Sequence, residues 1–254
     1  MPDRNTMLGG VAVGPDLQSW CKSVIGGLQC FVRGTRYDMA HAVSRLGQQL
    51  VSPDSGTVKQ IDRVVGYLKS TIGFNLSGFH GVGDDVLVTY TDSDHHGDSK
   101  FTTRSQTGVM VTLNGVPVHW RSNRQPKTTL SPAESEIYAL SVGVKDARLT
   151  GMVLEEMGAV VEWPIRVRTD SAGAYSFQRD ECPDSKLRGC FDFRDAWVDE
   201  LQDASVSGRC RVKVERCRDS ENLADVLTKC MATYMFKARI KQLRDCNWLF
   251  EYGR

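Results

Sequence analysis

The pattern of apolar positions changes character near residue 72. Before it, apolar residues recur at helical spacing. "LQSWCKSVIGGLQCFV" (17–32) carries such a stripe, weakened by Gly26 and Gly27. "TRYDMAHAVSRLGQQL" places Met39, Ala42, Val43 and Leu46 on one face, and "TVKQIDRVVGYLKS" repeats the pattern with Val58, Ile61, Val64, Val65 and Leu68. A small module of three helices is predicted. Beyond residue 72 the period shortens: "GFNLSGF" and "DVLVTYTD" read as strands about a Gly-rich turn at 78–83. "QTGVMVTLNGVPVHWRS" reads as a hairpin turned by Asn114-Gly115, with Pro117 suited to an edge or a strand start.

The strongest helix signal is "SPAESEIYALSVGVKDARLTGMVLEEMG". Ser131 is a natural N-cap, Pro132 falls at N1 and Glu134 at N3, a full capping box. Ile137, Leu140, Val144 and Ala147 form its apolar stripe, and Gly158 stops it. "PIRVRTDS" is a short strand followed by a helix start at "AGAYSF". Residues 190–202 read as an amphipathic helix, "CRVKVERC" as a strand and "SENLADVLTKCM" as a helix. From residue 84 the order is three strands, helix, strand, two helices, strand, helix. A mixed sheet with helices packed against it satisfies that order.

Composition narrows the classes. At 254 residues with 41% hydrophobic content, the chain can bury a sizeable core. Its 32 Lys+Arg against 31 Asp+Glu argue against a polybasic coat but allow a local basic face. The eight cysteines include no CxxC pair, which disfavours a structural zinc site and favours free thiols in a reducing compartment. The first residues, "MPDRNTMLGG", have no signal-peptide pattern, and no apolar run approaches a membrane span.

Four acidic residues stand at informative places. Asp92 ends the first long strand, Asp170 ends "IRVRT", and Asp225 lies within "LADVLTK". Glu134 is explained as a capping partner; Glu136 is not, since it neither caps nor centres the apolar stripe. Each alone reads as a turn or cap. Together they suit divalent cations, which offset the repulsion between confined carboxylates and take oxygen ligands. Two such ions about 4 Å apart support phosphodiester hydrolysis. Asp94 points to the same face as Asp92 in an extended segment, either supporting the site or solvated.

The segments "YTDSDHHGD", "RSQTGVMVTLNGVPVHWRSNRQPKTTLSPAESEIYALSVGVKDA", "RTDSAGA" and "SENLADVLTK" resemble the ribonuclease H domain of Ty1/copia-type retrotransposon Pol polyproteins. "KSVIGGLQCFVRGTRYDMAHAVSRL" and "DRVVGYLKSTIGFNL" resemble the connection region upstream of it. No match to a polymerase palm is evident. The resemblance implies an α/β, ribonuclease H-like mixed five-stranded sheet flanked by helices, preceded by a small, mainly helical connection module. The organisation it implies is a flexible N-terminus (1–16), the module (17–77), the ribonuclease H-like domain (78–233) and a basic C-terminal extension (234–254). It further implies endonucleolytic cleavage of the RNA strand of RNA·DNA hybrids, leaving a 5′-phosphate and a 3′-hydroxyl. Two Mg²⁺ or Mn²⁺ ions would be held by Asp92, Glu136, Asp170 and Asp225. Asp92 would lie between the ions, Glu136 and Asp170 on one and Asp225 on the other. A reverse transcriptase domain is an implied partner, no membrane is, and the location expected is intracellular, cytoplasmic or nuclear.

The chain departs from the family in places. His95-His96 stand where tryptophan-alanine is usual, Gly189-Cys190 replace a Lys-His pair, Asp195-Ala196 a Tyr-His pair, and Cys230 a proline; "TRYD" stands for TRPD. The four carboxylates are spared. Substrate contacts are expected from Arg104, Arg121, Arg124, Lys127, Lys186 and Arg188, with the basic tail reinforcing them. Two other classes share these features: a catalytically weak or inactive domesticated fragment that binds nucleic acid or serves a structural role, and a general metal-dependent nuclease or nucleotidyl transferase.

Overall fold

The computed structural model describes residues 10–74, 76, 86–95, 102–178, 198, 201–202 and 211–245. Three helices come first: α1 (Pro15–Gly34), α2 (Ala40–Gln49) and α3 (Ser55–Ser70), with a 3₁₀ turn at Tyr37–Met39. Their apolar stripes meet in one cluster that includes Cys21, Ile25, Leu28, Leu46, Ile61 and Val64. Asp54 caps α3 by accepting from the Thr57 N–H at 2.7 Å. Residues 10–13 lie along 53–55, with Ser55 N–H donating to the Val11 carbonyl at 3.0 Å and Gly10 N–H to Asp54 at 3.1 Å. Residues 1–9 of the expected flexible N-terminus lie outside the described residues.

The mixed sheet has the expected five strands: β1 (Leu87–Asp94), β2 (Gln106–Leu113), β3 (Val116–Arg124), β4 (Ile165–Thr169) and β5 (Val212–Arg216), in the order β3-β2-β1-β4-β5. β2 pairs antiparallel to β1 and β3, and β4 pairs parallel to β1 and β5. The Asn114-Gly115 hairpin forms with both residues at positive φ, 50° and 83°. Helix α4 (Pro132–Glu156) begins at Ser131, whose hydroxyl accepts from the Glu134 N–H at 3.1 Å. The Glu134 carboxylate reaches one residue further back than a capping box requires, to the Leu130 N–H at 2.6 Å. After the helix, Gly158 turns the chain at φ 90°. A short helix, α5 (Ala172–Gln178), follows β4, and α6 (Thr233–Asp245) closes the described chain.

Strand alternation sorts the core into two layers. Leu87, Val109, Val111, Val167 and Val212 face the α4 stripe of Ile137, Leu140, Val144 and Ala147. Val88, Tyr90 and Met110 face the other way, onto Leu223, Val226, Leu227 and Leu243 together with Tyr37 and Ala40 of the helical module. The module therefore packs on the sheet directly, and the Trp120 indole N–H of β3 donates to the Val32 carbonyl of α1 at 2.7 Å.

Two expectations need correction. The described part of "GFNLSGF" is turn and coil: Phe74 packs its ring edge-on to Tyr37 at 5.5 Å, beneath the Arg36 guanidinium at 4.8 Å, instead of joining a ladder. "SENLADVLTKCM" forms two 3₁₀ turns, Asp219–Glu221 and Leu223–Leu227, not one α-helix. Side-chain bonds from Asn222 and Thr228 pull that segment onto β1. The described part of the basic extension is helical: α6 buries Phe236 and Leu243. Of the predicted 190–202 helix, only 198 and 201–202 are described, and these are helical.

Gly108 sets how closely the second 3₁₀ turn approaches β2. A Cβ there would lie 2.7 Å from the Thr228 methyl and 2.9 Å from the Ala224 carbonyl oxygen. Gly108→Ala is expected to cost about 1–2 kcal/mol in a denaturant titration, because the obstructing atoms include backbone. Gly27→Ala, where an added Cβ meets nothing within 4 Å, should be neutral or slightly stabilising.

Candidate active site

The sheet topology brings distant carboxylates together. β1 and β4 run parallel with Thr91 beside Thr169, so the next residue of each chain, Asp92 and Asp170, falls on neighbouring tracks about 5 Å apart. Asp92 shares the face of Val88 and Tyr90, over which the Leu223–Leu227 turn lies. That turn is pinned by Asn222, whose amide donates to the Thr91 carbonyl at 2.9 Å and whose amide oxygen accepts from the Ala224 N–H at 3.1 Å. A third bond, from the Ser122 hydroxyl to the Leu227 carbonyl at 2.5 Å, ties it to β3. Asp225 is thereby placed against Asp92. One oxygen each of Asp92, Asp170 and Asp225 lie within 4.8 Å of one another.

Glu136 approaches from the opposite face. The Ser93 and Ser135 hydroxyls bond at 2.8 Å, locking the first turn of α4 to the end of β1. Of the Glu136 carboxylate, Oε2 is buried and has no hydrogen-bond partner among the described residues. Burial pushes the Glu136 carboxyl up to about 8, reinforced by the charges of Asp92 and Asp170. Asp92, 1% exposed, is pushed up to about 7 by burial, against the pull of Lys229 and with Asp225 and Asp170 adding to the rise. Asp225 is raised by burial as well, with Lys229 opposing.

Lys229 was not among the residues singled out in the sequence. Its ammonium donates to Asp92 at 3.2 Å and to Asp225 at 3.0 Å. Burial works against that charge, but the two carboxylates outweigh it and hold the lysine above its ordinary range. The Thr228 hydroxyl donates to the other Asp92 oxygen, and Arg239 of α6 reaches Asp225 at 3.3 Å while donating to the Asp219 carbonyl at 2.7 Å. The i,i+4 spacing of Asp225 and Lys229 is a local signal that could have found the lysine. Nothing local points to Arg239.

The remaining sequence candidates divide. Asp94 follows Asp92 on the same face but lies outside the triad, and its charge is felt by Arg45 of α2. His95 Nδ1 lies 3.4 Å from the Ser105 hydroxyl and 3.3 Å from that of Thr129, so it joins a hydroxyl network. Arg104, Arg124 and Lys127 are exposed. The Arg121 guanidinium is committed to Asp146 on α4 through bonds of 2.8 and 2.9 Å. Lys186 and Arg188, His96 and the altered 189–196 segment lie outside the described residues. The described cysteines Cys21, Cys30, Cys217 and Cys230 form no disulfide.

The aspartate triad fits a divalent metal centre, with carboxylate oxygens only converging from three segments; Glu136 on α4, whose buried Oε2 has no partner among the described residues, lies outside that triad. A five-stranded sheet of this order, with an acidic cluster at the ends of its parallel central strands, defines a ribonuclease H-like domain whose site is consistent with two-metal chemistry.

No family model matches the sequence. Among curated proteins, the chain is 29% identical over 215 residues to the "Retrovirus-related Pol polyprotein from transposon TNT 1-94" of Nicotiana tabacum, covering 85% of this chain and 15% of that protein. It is 26% identical over 218 residues to the Pol polyprotein from transposon RE2 of Arabidopsis thaliana, 85% of this chain and 14% of the relative. The chain thus spans only about a seventh of these polyproteins. "Secreted RxLR effector protein 161" of Plasmopara viticola is 37% identical over 125 residues, 87% of that protein and 49% of this chain. Among solved structures, LC11-RNase H1 in complex with RNA/DNA hybrid aligns with a TM-score of 0.39 and 21% identity, over 56% of this chain and 93% of that one. The PFV RNase H domain aligns at 0.35 and 15%, over 64% and 94%. The chain belongs to one family with Secreted RxLR effector protein 161, of which it covers 87%, and carries a ribonuclease H-like domain related to those of retrotransposon Pol polyproteins.

Proposed function

We propose that the chain hydrolyses the RNA strand of RNA·DNA hybrids, using Mg²⁺ or Mn²⁺ held by Asp92, Glu136, Asp170 and Asp225, and that its lineage is the Ty1/copia type with a connection-like module at residues 17–77. The observation that carries the reading is the convergence of three aspartate oxygens within 4.8 Å beside the partnerless buried oxygen of Glu136. A pair of bound ions would supply the charge that activates a water and stabilises the leaving oxygen.

The chain's own residues prepare that site. Thr228 and Lys229 fix the orientation of Asp92 by occupying one oxygen each, and Lys229 and Arg239 do the same for Asp225. Ser135 holds the end of β1 against α4, so that Glu136 enters from the face opposite Asp225. Asp92 and Glu136, both raised by burial, are the members of the set that take up or give back protons near neutral pH in the metal-free site. Arg104, Arg124 and Lys127 supply exposed cations for the phosphates.

One observation favours the second reading, a weakly active or inactive fragment that binds nucleic acid. Lys229 already neutralises part of the charge of Asp92 and Asp225, which lowers the demand for metal. The test is cleavage of an end-labelled RNA·DNA hybrid in Mg²⁺, in Mn²⁺ and in EDTA, beside an all-DNA duplex. Cleavage confined to the hybrid and to the metal-containing reactions is expected. No cleavage with either ion, alongside undiminished hybrid binding, would establish the second reading instead.

A further inference from the structure

A groove of about 790 Å³ runs between α1, α2 and the outer strand β3. Its lining includes Lys22 and Arg33 of α1 and Arg121 and Arg124 of β3, with no Asp or Glu among the described residues. Arg121 is answered by Asp146, whereas no ion pair among the described residues involves Lys22, Arg33 or Arg124. Uncompensated cations in a concave surface focus a positive potential and attract polyanions.

The placement of these cations is regular. Lys22, Gly26, Gln29 and Arg33 recur at i, i+4, i+7 and i+11, one stripe of α1 facing the groove, and all four are exposed. Lys22 and Arg33 are about 16 Å apart along the helix axis. That length accommodates several consecutive phosphates of one strand at the ~3.4 Å axial spacing.

The glycines add an independent observation. Gly26 costs α1 about 1 kcal/mol relative to alanine. Packing does not explain it, since an added Cβ would meet nothing within 4 Å. Gly47 of α2 lines the same groove, and its added Cβ would meet only the Gln29 amide at 3.9 Å. Both helices thus present bare backbone to the cationic channel, as close approach of a ligand requires.

The groove also leads to the carboxylates. Asp94, Gln106 and Arg124 stand in register across β1, β2 and β3. Arg124 therefore begins about 10 Å from the end of β1. Arg45 of α2 lies within electrostatic range of both Asp94 at the end of β1 and Arg124 in the groove.

We infer that the α1–α2–β3 groove seats the sugar-phosphate backbone of a nucleic-acid strand bound at the carboxylate cluster. Lys22, Arg33 and Arg124 contact phosphates, and Gly26 and Gly47 admit the backbone. The identity of the strand, one chain of an RNA·DNA hybrid, rests on the proposed function; the groove's preference for a nucleic-acid backbone does not.

The test measures binding of a fluorescent RNA·DNA hybrid to the full chain in EDTA, across a salt series. Lys22→Gln/Arg33→Gln should weaken binding about 10-fold and reduce the slope of log affinity against log salt by between about 1 and 2. The control Lys59→Gln/Lys69→Gln, the same charge change on exposed positions of α3, should leave the slope unchanged. Gly26→Leu, which changes no charge and fills the groove, should weaken binding while the melting temperature holds. Equal slopes for the groove and control variants, with Gly26→Leu binding normally, would overturn the inference. An acidic protein partner in the groove would give that same overturning result. Loss of binding in the groove variants of a chain that cleaves no hybrid would leave the groove standing and remove the catalytic reading. Normal cleavage with unaffected groove variants would do the reverse.

Discussion

Asp92→Asn is expected to lower hybrid cleavage by on the order of 1,000-fold or more while raising the melting temperature of the metal-free protein. The two effects have one cause. Asp92 is 1% exposed, and burial pushes its carboxyl up to about 7, so its ionised form destabilises the folded chain at pH 8. Asparagine keeps an acceptor for Thr228 or Lys229 and removes the buried charge; Lys229 retains Asp225. The charge that metal binding requires is the charge folding disfavours. Asp146→Asn should behave oppositely. Burial works against Asp146 too, but bonds from His119 and Arg121 outweigh it and hold the carboxyl below its ordinary range. Its loss should lower the melting temperature by a few degrees and leave cleavage near wild type, because Asp146 faces β3 and not the triad. Parallel thermal melts and cleavage assays separate the two aspartates. If Asp92→Asn lowers the melting temperature and retains cleavage, Asp92 is a structural residue.

Much of this was legible in the sequence because its signals are local. The β-branched and apolar run from Leu87 to Thr91, the Asn114-Gly115 turn and the Ser131 cap each depend on residues within a few positions, and each appears as expected. The four acidic positions were found one at a time, as strand ends and unexplained helix positions. What brings three of them together is the parallel pairing of β1 with β4 and the pinning of the 223–227 turn by Asn222. Neither is encoded locally, because Asn222 bonds a residue 131 positions away. The same limit explains why the helix expected over "SENLADVLTKCM" became two 3₁₀ turns: its periodicity is helical, but its polar side chains are spent on β1. It also explains Arg239, which reads as part of a basic tail and folds back onto Asp225. Phe74 shows tertiary override of a strand signal, since an aromatic next to Gly73 packs against Tyr37 and Arg36 as readily as it joins a sheet.

In EDTA, stability should fall by about 2 kcal/mol between pH 6.5 and 8, and Mg²⁺ or Mn²⁺ should restore it at the upper end. Asp92 is raised from 3.8 to about 7 and Glu136 from 4.5 to about 8. A carboxyl with a raised pKa binds more protons folded than unfolded, so stability declines as pH rises from the unfolded value through the folded one. Buried His41 acts with the opposite sign at lower pH: burial and the nearby Arg45 charge bring it down from 6.5 to about 4, so its contribution is lost on acidification below pH 6.5. Between pH 6.5 and 8 what remains of the His41 effect is smaller than that of the two carboxylates, so the carboxylates set the direction. For a chain of this size the loss corresponds to roughly 4–8 °C in melting temperature. Metal ions displace the protons they compete with, so the stabilisation from a fixed Mg²⁺ concentration should be larger at pH 8 than at pH 6.5. Asp92→Asn should make the EDTA profile shallower and cut the metal response together. A profile flat in EDTA for the wild-type chain, with no response to either ion, would mean that Lys229 alone satisfies the cluster and that no divalent ion belongs to it.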